Sequence, residues 1–171
     1  MFEVRQLDAA DAADYRDIRL EALEACPESF GSSHAEDAGL PLVRFREIVS
    51  ENVVFGGFQG PVLQGVVGFA RPLSLKTRHK GTLWGLYVRE HARGMGLADE
   101  LIKAVLAYAG TRVEILQLRV PKTNEPAIRV FTRHRFQTWG TEPRALRTEA
   151  NDYFDACHMY RLLKDSPPSA Q

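Results

Sequence analysis

The chain has 171 residues, and its 22 basic side chains balance 22 acidic ones at a pI near 7.0. That length suits one domain with a real hydrophobic core, and the balance gives no global argument for a nucleic-acid or membrane partner. No segment approaches the ~20 apolar residues of a membrane span, and no apolar run follows a basic start as in a secretory leader.

The charge is unevenly spread. Residues 1–52 hold twelve acids against five bases, and the remainder carries the opposite excess. Most of these side chains read as solvated faces. The two cysteines, Cys26 and Cys157, have neither metal-ligand spacing nor a C-x-x-C pattern. They read as free thiols in a reducing cytosol, and no metal is expected.

In chain order, Phe2 to Arg5 alternates as an opening strand. Asp8 reads as the N-cap of a helix to about Ala25, with Asp11 favouring its positive end and Tyr15, Ile18 and Ala22 inward. Pro27 ends it, and Glu28 to His34 is a loop by composition. Pro41 to Glu51 is a second helix with Leu42, Phe45 and Val49 on one stripe, closed by Asn52. Val53 to Phe58 and Val62 to Ala70 form a hairpin around Gln59-Gly60-Pro61. A basic loop, Pro72 to Gly81, leads to an apolar strand, Leu83 to Val88. A glycine loop, Arg89 to Gly96, and an amphipathic helix with Leu97, Leu101, Val105 and Tyr108 on one stripe follow. Val113 to Val120 is a buried strand, Asn124 caps a helix that tolerates Pro126 in its first turn, and Phe136 to Trp139 is a short strand. Gly140 to Asn151 reads as a loop, and Tyr153 to Leu163 as the last strand. The order β-α-α-β-β-β-α-β-α-β-β describes a single α/β domain over residues 1–164 with a mixed, largely antiparallel sheet. Residues 165–171 read as a frayed tail.

The chemistry concentrates where the Leu83–Val88 strand hands over to the helix at Leu97. Glycine lets backbone approach a ligand and adopt positive φ, and a helix start offers unpaired N–H groups and the positive end of its dipole. Together these make an anion site, most often for phosphate, and Arg93 adds a fixed positive charge. A nucleoside-triphosphate loop would need Gly-Lys-Ser/Thr, which is absent. A dinucleotide fingerprint would need a third glycine where Asp99 stands. A nucleotide-binding regulatory domain is therefore disfavoured.

What fits is Arg-x-x-Gly-x-Ala, as Arg93, Gly96 and Ala98, after a strand ending Leu-Tyr-Val. This resembles the acetyl-CoA loop of the GNAT superfamily of N-acetyltransferases. About thirty residues on, Asn124-Glu125-Pro126-Ala127-Ile128-Arg129-Val130-Phe131 resembles that family's second CoA element, Asn-x-x-Ala-x-x-x-(Tyr). The pair covers roughly Thr82 to Phe136.

The resemblance implies a GNAT-like fold whose central parallel strands splay apart and are flanked by helices. It implies that Leu86, Tyr87 and Val88 pair with the pantetheine amides like a borrowed strand. The amides of Gly94, Met95, Gly96, Leu97 and Ala98 would hold the pyrophosphate with Arg93, and Asn124 would touch the cofactor. Phe131 occupies the position of the tyrosine that commonly protonates the departing thiolate, a departure from the family pattern. Water or Tyr153 could replace that acid. The base stays open among His79, Glu28, Glu36 and His158; Cys157 reads as a buried thiol rather than an acyl carrier. Acceptor contacts are expected from Pro27 to His34 and Thr141 to Tyr153.

The expected function is cytoplasmic transfer of acetyl from acetyl-CoA to a primary amine, on a small molecule or peptide, by direct attack in a ternary complex. The oligomeric state is left between monomer and homodimer. The alternative is a CoA-binding module with little catalysis, for which Phe131 and the missing base are the evidence.

Overall fold

The structure, a computed structural model, describes residues 1–164; the tail read at 165–171 lies outside them. Its strands are β1 (Glu3–Gln6), β2 (Val53–Gln59), β3 (Val62–Ala70), β4 (Lys80–Val88), β5 (Ile115–Pro121), β6 (Gln137–Arg147) and β7 (Tyr153–Leu162). They form one sheet in the order β1-β2-β3-β4-β5-β7-β6. Every neighbouring pair is antiparallel except β4 and β5, which are parallel. The helices are α1 (Ala12–Ala25), α2 (His34–Ala38), α3 (Leu42–Glu51), α4 (Leu97–Ala109) and α5 (Glu125–Arg133).

Alternation along the strands builds two cores. Val67, Leu83 and Leu116 meet Leu97, Leu101, Ile102 and Val105 of α4 on one face. Val54, Val66 and Tyr87 meet Tyr15 and Ile18 of α1 and Phe45 and Val49 of α3 on the other. Burying each such aliphatic or aromatic side chain stabilises the fold by about 1.5–3 kcal/mol. Helix α4 lies close to the sheet because β2 and β3 carry glycine beneath it. A Cβ on Gly57 would stand 2.3 Å from Leu97 Cδ1, and one on Gly65 would stand 3.0 Å from Leu101 Cδ1.

The parallel pair is short. Lys80, Gly81 and Thr82 register with Ile115, Leu116 and Gln117, and the pairing goes no further. Beyond it β4 stays with β3, while β5 follows β7 as far as Pro121. A bulge lies in the same stretch: Trp84 faces Gly68 and Tyr87 faces Val66, so Gly85 and Leu86 stand opposite Val67 alone. Gly85 has φ +64°, a left-handed conformation that glycine adopts without a Cβ penalty. The extra residue resets the alternation, so Leu83 and Leu86 point to the α4 core and Trp84 and Tyr87 to the α1 core.

Several expected boundaries move. Strand β4 begins at Lys80, not Leu83, and β5 at Ile115, not Val113. The expected loop from Glu28 to His34 holds a 3-10 turn, Pro27–Ser29, and the first residue of α2. Ser33 and Glu36 form the capping box of α2. Pro41 is the N-cap of α3 rather than part of it, and Leu42 is partly exposed, not inward. The largest revision is β6, which runs on through the expected loop to Arg147. It is an edge strand carrying Pro143, with its register broken between Glu142 and Leu146 and Arg144 at φ +49°. An edge strand tolerates proline and irregular alternation, which is why its composition resembles a loop.

Asp8 and Asp11 also act differently from expectation. Asp8 caps a 3-10 turn, Ala9–Asp11, that precedes α1. Asp11 serves the helix dipole less than it serves Arg5. Two guanidinium N–H groups of Arg5 donate to its carboxylate at 2.7 Å each, and the Asp8 backbone N–H donates at 2.9 Å. Asp11 is buried, and it ties the edge strand β1 to the start of α1. The Arg5 hydrogen bond, aided by the Asp8 N–H, holds its carboxyl below the usual range against the opposing effect of burial. A depressed carboxyl stabilises the fold above its unfolded pKa of about 3.9, and this contribution is lost as pH falls through the lower folded value. Asp11→Ala should cost about 1–3 kcal/mol, read by chemical denaturation at pH 7. Its difference from wild type should shrink at acid pH; a pH-independent difference would contradict this role.

Candidate active site between the parted strands

Where β4 and β5 separate, a cleft of about 660 Å³ opens. Leu86, Tyr87 and Val88 line it from β4. Their β3 side is paired at Tyr87 and Val88, and no β5 residue pairs with any of the three. One edge of this segment therefore offers backbone N–H and C=O groups to a ligand that can act as a strand.

The cleft continues along the glycine loop, through Arg93, Gly94, Gly96, Leu97 and Ala98. Gly94 has φ +74° and Gly96 φ +86°, and a Cβ on either would meet no atom within 4 Å. Gly96 is the N-cap of α4 and supplies no side-chain cap, so the first N–H groups of the helix stay free for an anion. The Arg93 Nε donates to the Val88 carbonyl at 3.0 Å, and its guanidinium lies 5.7 Å from the Tyr87 ring centre. Arg93 is thereby held on the β4 side of the loop.

The opposite wall is α5. Asn124 caps it, accepting from the Ala127 N–H at 3.3 Å, and both line the cleft with Pro126, Val130, Arg129 and Arg133. Asp99, in the first turn of α4, spans to the end of this helix. Arg133 Nη2 donates to its two oxygens at 2.9 and 3.1 Å, and His134 Nε2 stands 2.9 Å from one of them. Burial raises the Asp99 carboxyl, but the His134 and Arg133 contacts outweigh it and hold it below the usual range. From the α1 side come Cys26, Ser29 and Phe30. Burial pushes the Cys26 thiol up, Glu28 adds to this, and Arg93 opposes it. Burial and the hydrogen bond to Glu21 push Tyr87 up to about 12. Its hydroxyl donates to Glu21 at 3.0 Å, and Arg89 Nε lies 3.3 Å from the other Glu21 oxygen.

Nine of the eleven residues expected at the cofactor thus share one cleft. The side chain of Met95 is exposed and does not line it. Phe131 does not line it either: it is 4% exposed and packs edge-on against Phe136 at 5.7 Å. Tyr153 stands at the start of β7, half-exposed, with the Arg144 guanidinium 5.1 Å from its ring and no share in the cleft. Cys157 is buried in the α4 core.

The base candidates scatter. His158 contacts Glu142 at 2.8 Å on the β6–β7 face. Glu36 belongs to the α2 capping box, and the His79 carbonyl accepts from Glu114 and Ile115 at the root of β5. Glu28 lines a small pocket with Arg119, Leu146, Phe154 and Asp155, and Ser29 lines both this pocket and the main cleft. The small pocket touches both segments expected to contact the acceptor. Sequence reading missed Cys26, Asp99, Arg129 and Arg133 as cleft residues. The Arg129–Arg133 spacing of one turn was the available signal. Among the described residues, no group of three or more His, Cys, Asp or Glu side chains is arranged to hold a metal ion. No described helix is long and apolar enough to cross a membrane.

A glycine loop at a helix start, beside a parallel pair that opens after three residues, defines an α/β domain with an anion site at the opening of its sheet. The family model of the acetyltransferase (GNAT) family matches residues 15–136, and the chain belongs to that family. Its fold is shared with solved structures of low identity. An acetyltransferase of GNAT family from Streptococcus pneumoniae is 19% identical, with 95% of this chain and 99% of that one covered and a TM-score of 0.83. A Salmonella typhimurium protein solved with its cofactor acetyl-CoA is 16% identical, with 99% of each chain covered and a TM-score of 0.79. The ribosomal-protein-S18-alanine N-acetyltransferase of Escherichia coli is 17% identical, with 100% and 99% covered and a TM-score of 0.73. A search of curated proteins returned no match.

The glycine loop generates a direct test. Gly96→Val combined with Arg93→Ala fills the open space over the helix start and removes the neighbouring charge. A valine at φ +86° also strains the backbone, by about 1–2 kcal/mol or more. The double variant should stay folded by circular dichroism and lose at least tenfold in acetyl-CoA affinity by calorimetry. Unchanged affinity would remove the assignment of this loop.

Proposed function

We propose that this protein transfers an acetyl group from acetyl-CoA to a primary amine, by direct attack within a ternary complex. The observation that carries the reading is the free edge of Leu86 to Val88 leading into the loop Gly94 to Ala98. An extended amide-bearing arm fits the first, and a pyrophosphate fits the second. Membership in the acetyltransferase family and the acetyl-CoA bound to the Salmonella relative support the same co-substrate. The compartment we propose is the cytoplasm, where Cys26 and Cys157, both free thiols, would stay reduced.

Acetyl-CoA supplies an acetyl group activated as a thioester. The chain must then do three things. It must accept the proton of the acceptor ammonium, stabilise the oxyanion formed when the amine nitrogen attacks the carbonyl carbon, and tolerate departure of the thiolate as the C–S bond breaks. Backbone N–H groups on the free edge near Tyr87 and Val88 suit the oxyanion. For the proton we favour Glu28, because it is next in the chain to Ser29, which lines the cleft, and shares a small pocket with it. A carboxylate there takes the ammonium proton directly or through one water. The thiolate leaves without a dedicated acid, since a thiol pKa near ~8.5 makes it a tolerable leaving group.

The acceptor enters on the side of Ser29, Phe30, Leu146 and Phe154, against a mixed-charge rim of Glu28, Arg119 and Asp155. Release of CoA thiol across a panel of amines and amine-bearing peptides tests the activity. On the best acceptor, Glu28→Gln should lower kcat at least tenfold with acetyl-CoA affinity unchanged. Tyr153→Phe should stay within about twofold, because its ring sits under Arg144 outside the cleft. A large loss in Tyr153→Phe would reverse the choice of a water-or-nothing acid. Measured binding with no thiol release on any amine would favour the alternative, a CoA-binding module with little catalysis.

A further inference from the structure

The cations of the cleft fall into two groups, and only one is explained by a pyrophosphate at the glycine loop. Arg93 is tied to the β4 side by its hydrogen bond to Val88 and by the Tyr87 ring. Arg129 and Arg133 lie on the other wall, one turn apart on α5, and both line the cleft. The start of α4, whose first N–H groups have no side-chain cap, lines the same cleft.

Both α5 arginines lie outside the core. Their side chains are more than half exposed, and surface ion pairs such as Arg129–Glu125 at 3.4 Å contribute little. Arg133 is nevertheless held in one place, because Asp99 accepts from it with both oxygens. That carboxylate sits in the first turn of the helix whose N-terminus would take a phosphate. Unpaired, its negative charge would oppose the ligand; paired with Arg133 and His134, it becomes a post that aims a guanidinium into the cleft. Guanidinium groups on a helix, held apart from the loop cation, suit a second and separate phosphate group.

We infer that Arg129 and Arg133, aimed by Asp99, form a second phosphate site that reads the 3′-phosphate of the CoA ribose and makes the protein discriminate against 3′-dephospho-CoA. Asp99 is a positioning residue. The inference rests on the acetyl-CoA reading of the cleft, and it adds a determinant that the glycine loop does not contain.

The test compares CoA with 3′-dephospho-CoA by calorimetry at fixed, low salt. The wild type should bind CoA at least tenfold more tightly. Arg129→Ala with Arg133→Ala should bring that ratio to within about twofold, mainly by weakening CoA, with dephospho-CoA affinity nearly unchanged. Asp99→Asn should lower the ratio in part, whereas Arg133→Lys should restore part of what Arg133→Ala loses. A wild type that binds both ligands equally would overturn this inference and leave the acetyl-transfer reading standing. So would arginine variants that weaken both ligands by the same factor. A wild type that binds neither ligand would overturn both readings.

Discussion

The site depends on one broken pairing. Parallel strands hold each other through evenly spaced hydrogen bonds, and β4 and β5 keep only three residue pairs of such a ladder. A longer ladder would close the cleft and cover the edge of Leu86 to Val88. The opening is compensated rather than left bare. Strand β4 keeps its β3 partner to Val88, and β5 keeps its β7 partner to Pro121, so each strand is anchored on one side while the other is released. Gly85 makes this possible by absorbing the extra residue of the bulge at φ +64°. The cleft is thus a consequence of sheet geometry, with the glycine loop and α4 set at its end by the same strand.

Much of this was legible because it lies in local pattern. The stripe Leu97, Leu101, Val105 marks a core-facing helix, and Gly94 and Gly96 mark positive φ before it; both features are present. Asn124 and Pro126 announce a helix start, and Asn124 does cap α5. The bulge was missed although its signal, Gly85 inside an apolar strand, is visible in the chain. The run of β6 beyond Trp139 was missed for a different reason. An edge strand with Pro143 and exposed residues on both faces lacks the alternation by which strands are recognised.

The rest could not be read because it depends on meetings between distant segments. Nothing near Asp99 in the chain reveals that Arg133 and His134, more than thirty residues later, will converge on it. Nothing near Glu21 reveals the Tyr87 hydroxyl. Phe131 is a core residue, edge-on to Phe136, and the chain around it does not announce that contact. In each case the motif names the element, and packing decides the role of the side chain.

The central claim is that the released edge of β4 and the start of α4 receive one continuous ligand. Hydrogen exchange of the backbone amides with and without saturating acetyl-CoA tests this most directly. The amides of 86–88 that face away from β3, and those of 94–98, should both slow by at least tenfold on binding, while the paired amides of β2 and β3 change little. Protection at the loop without protection at 86–88, or protection at neither, would contradict the account.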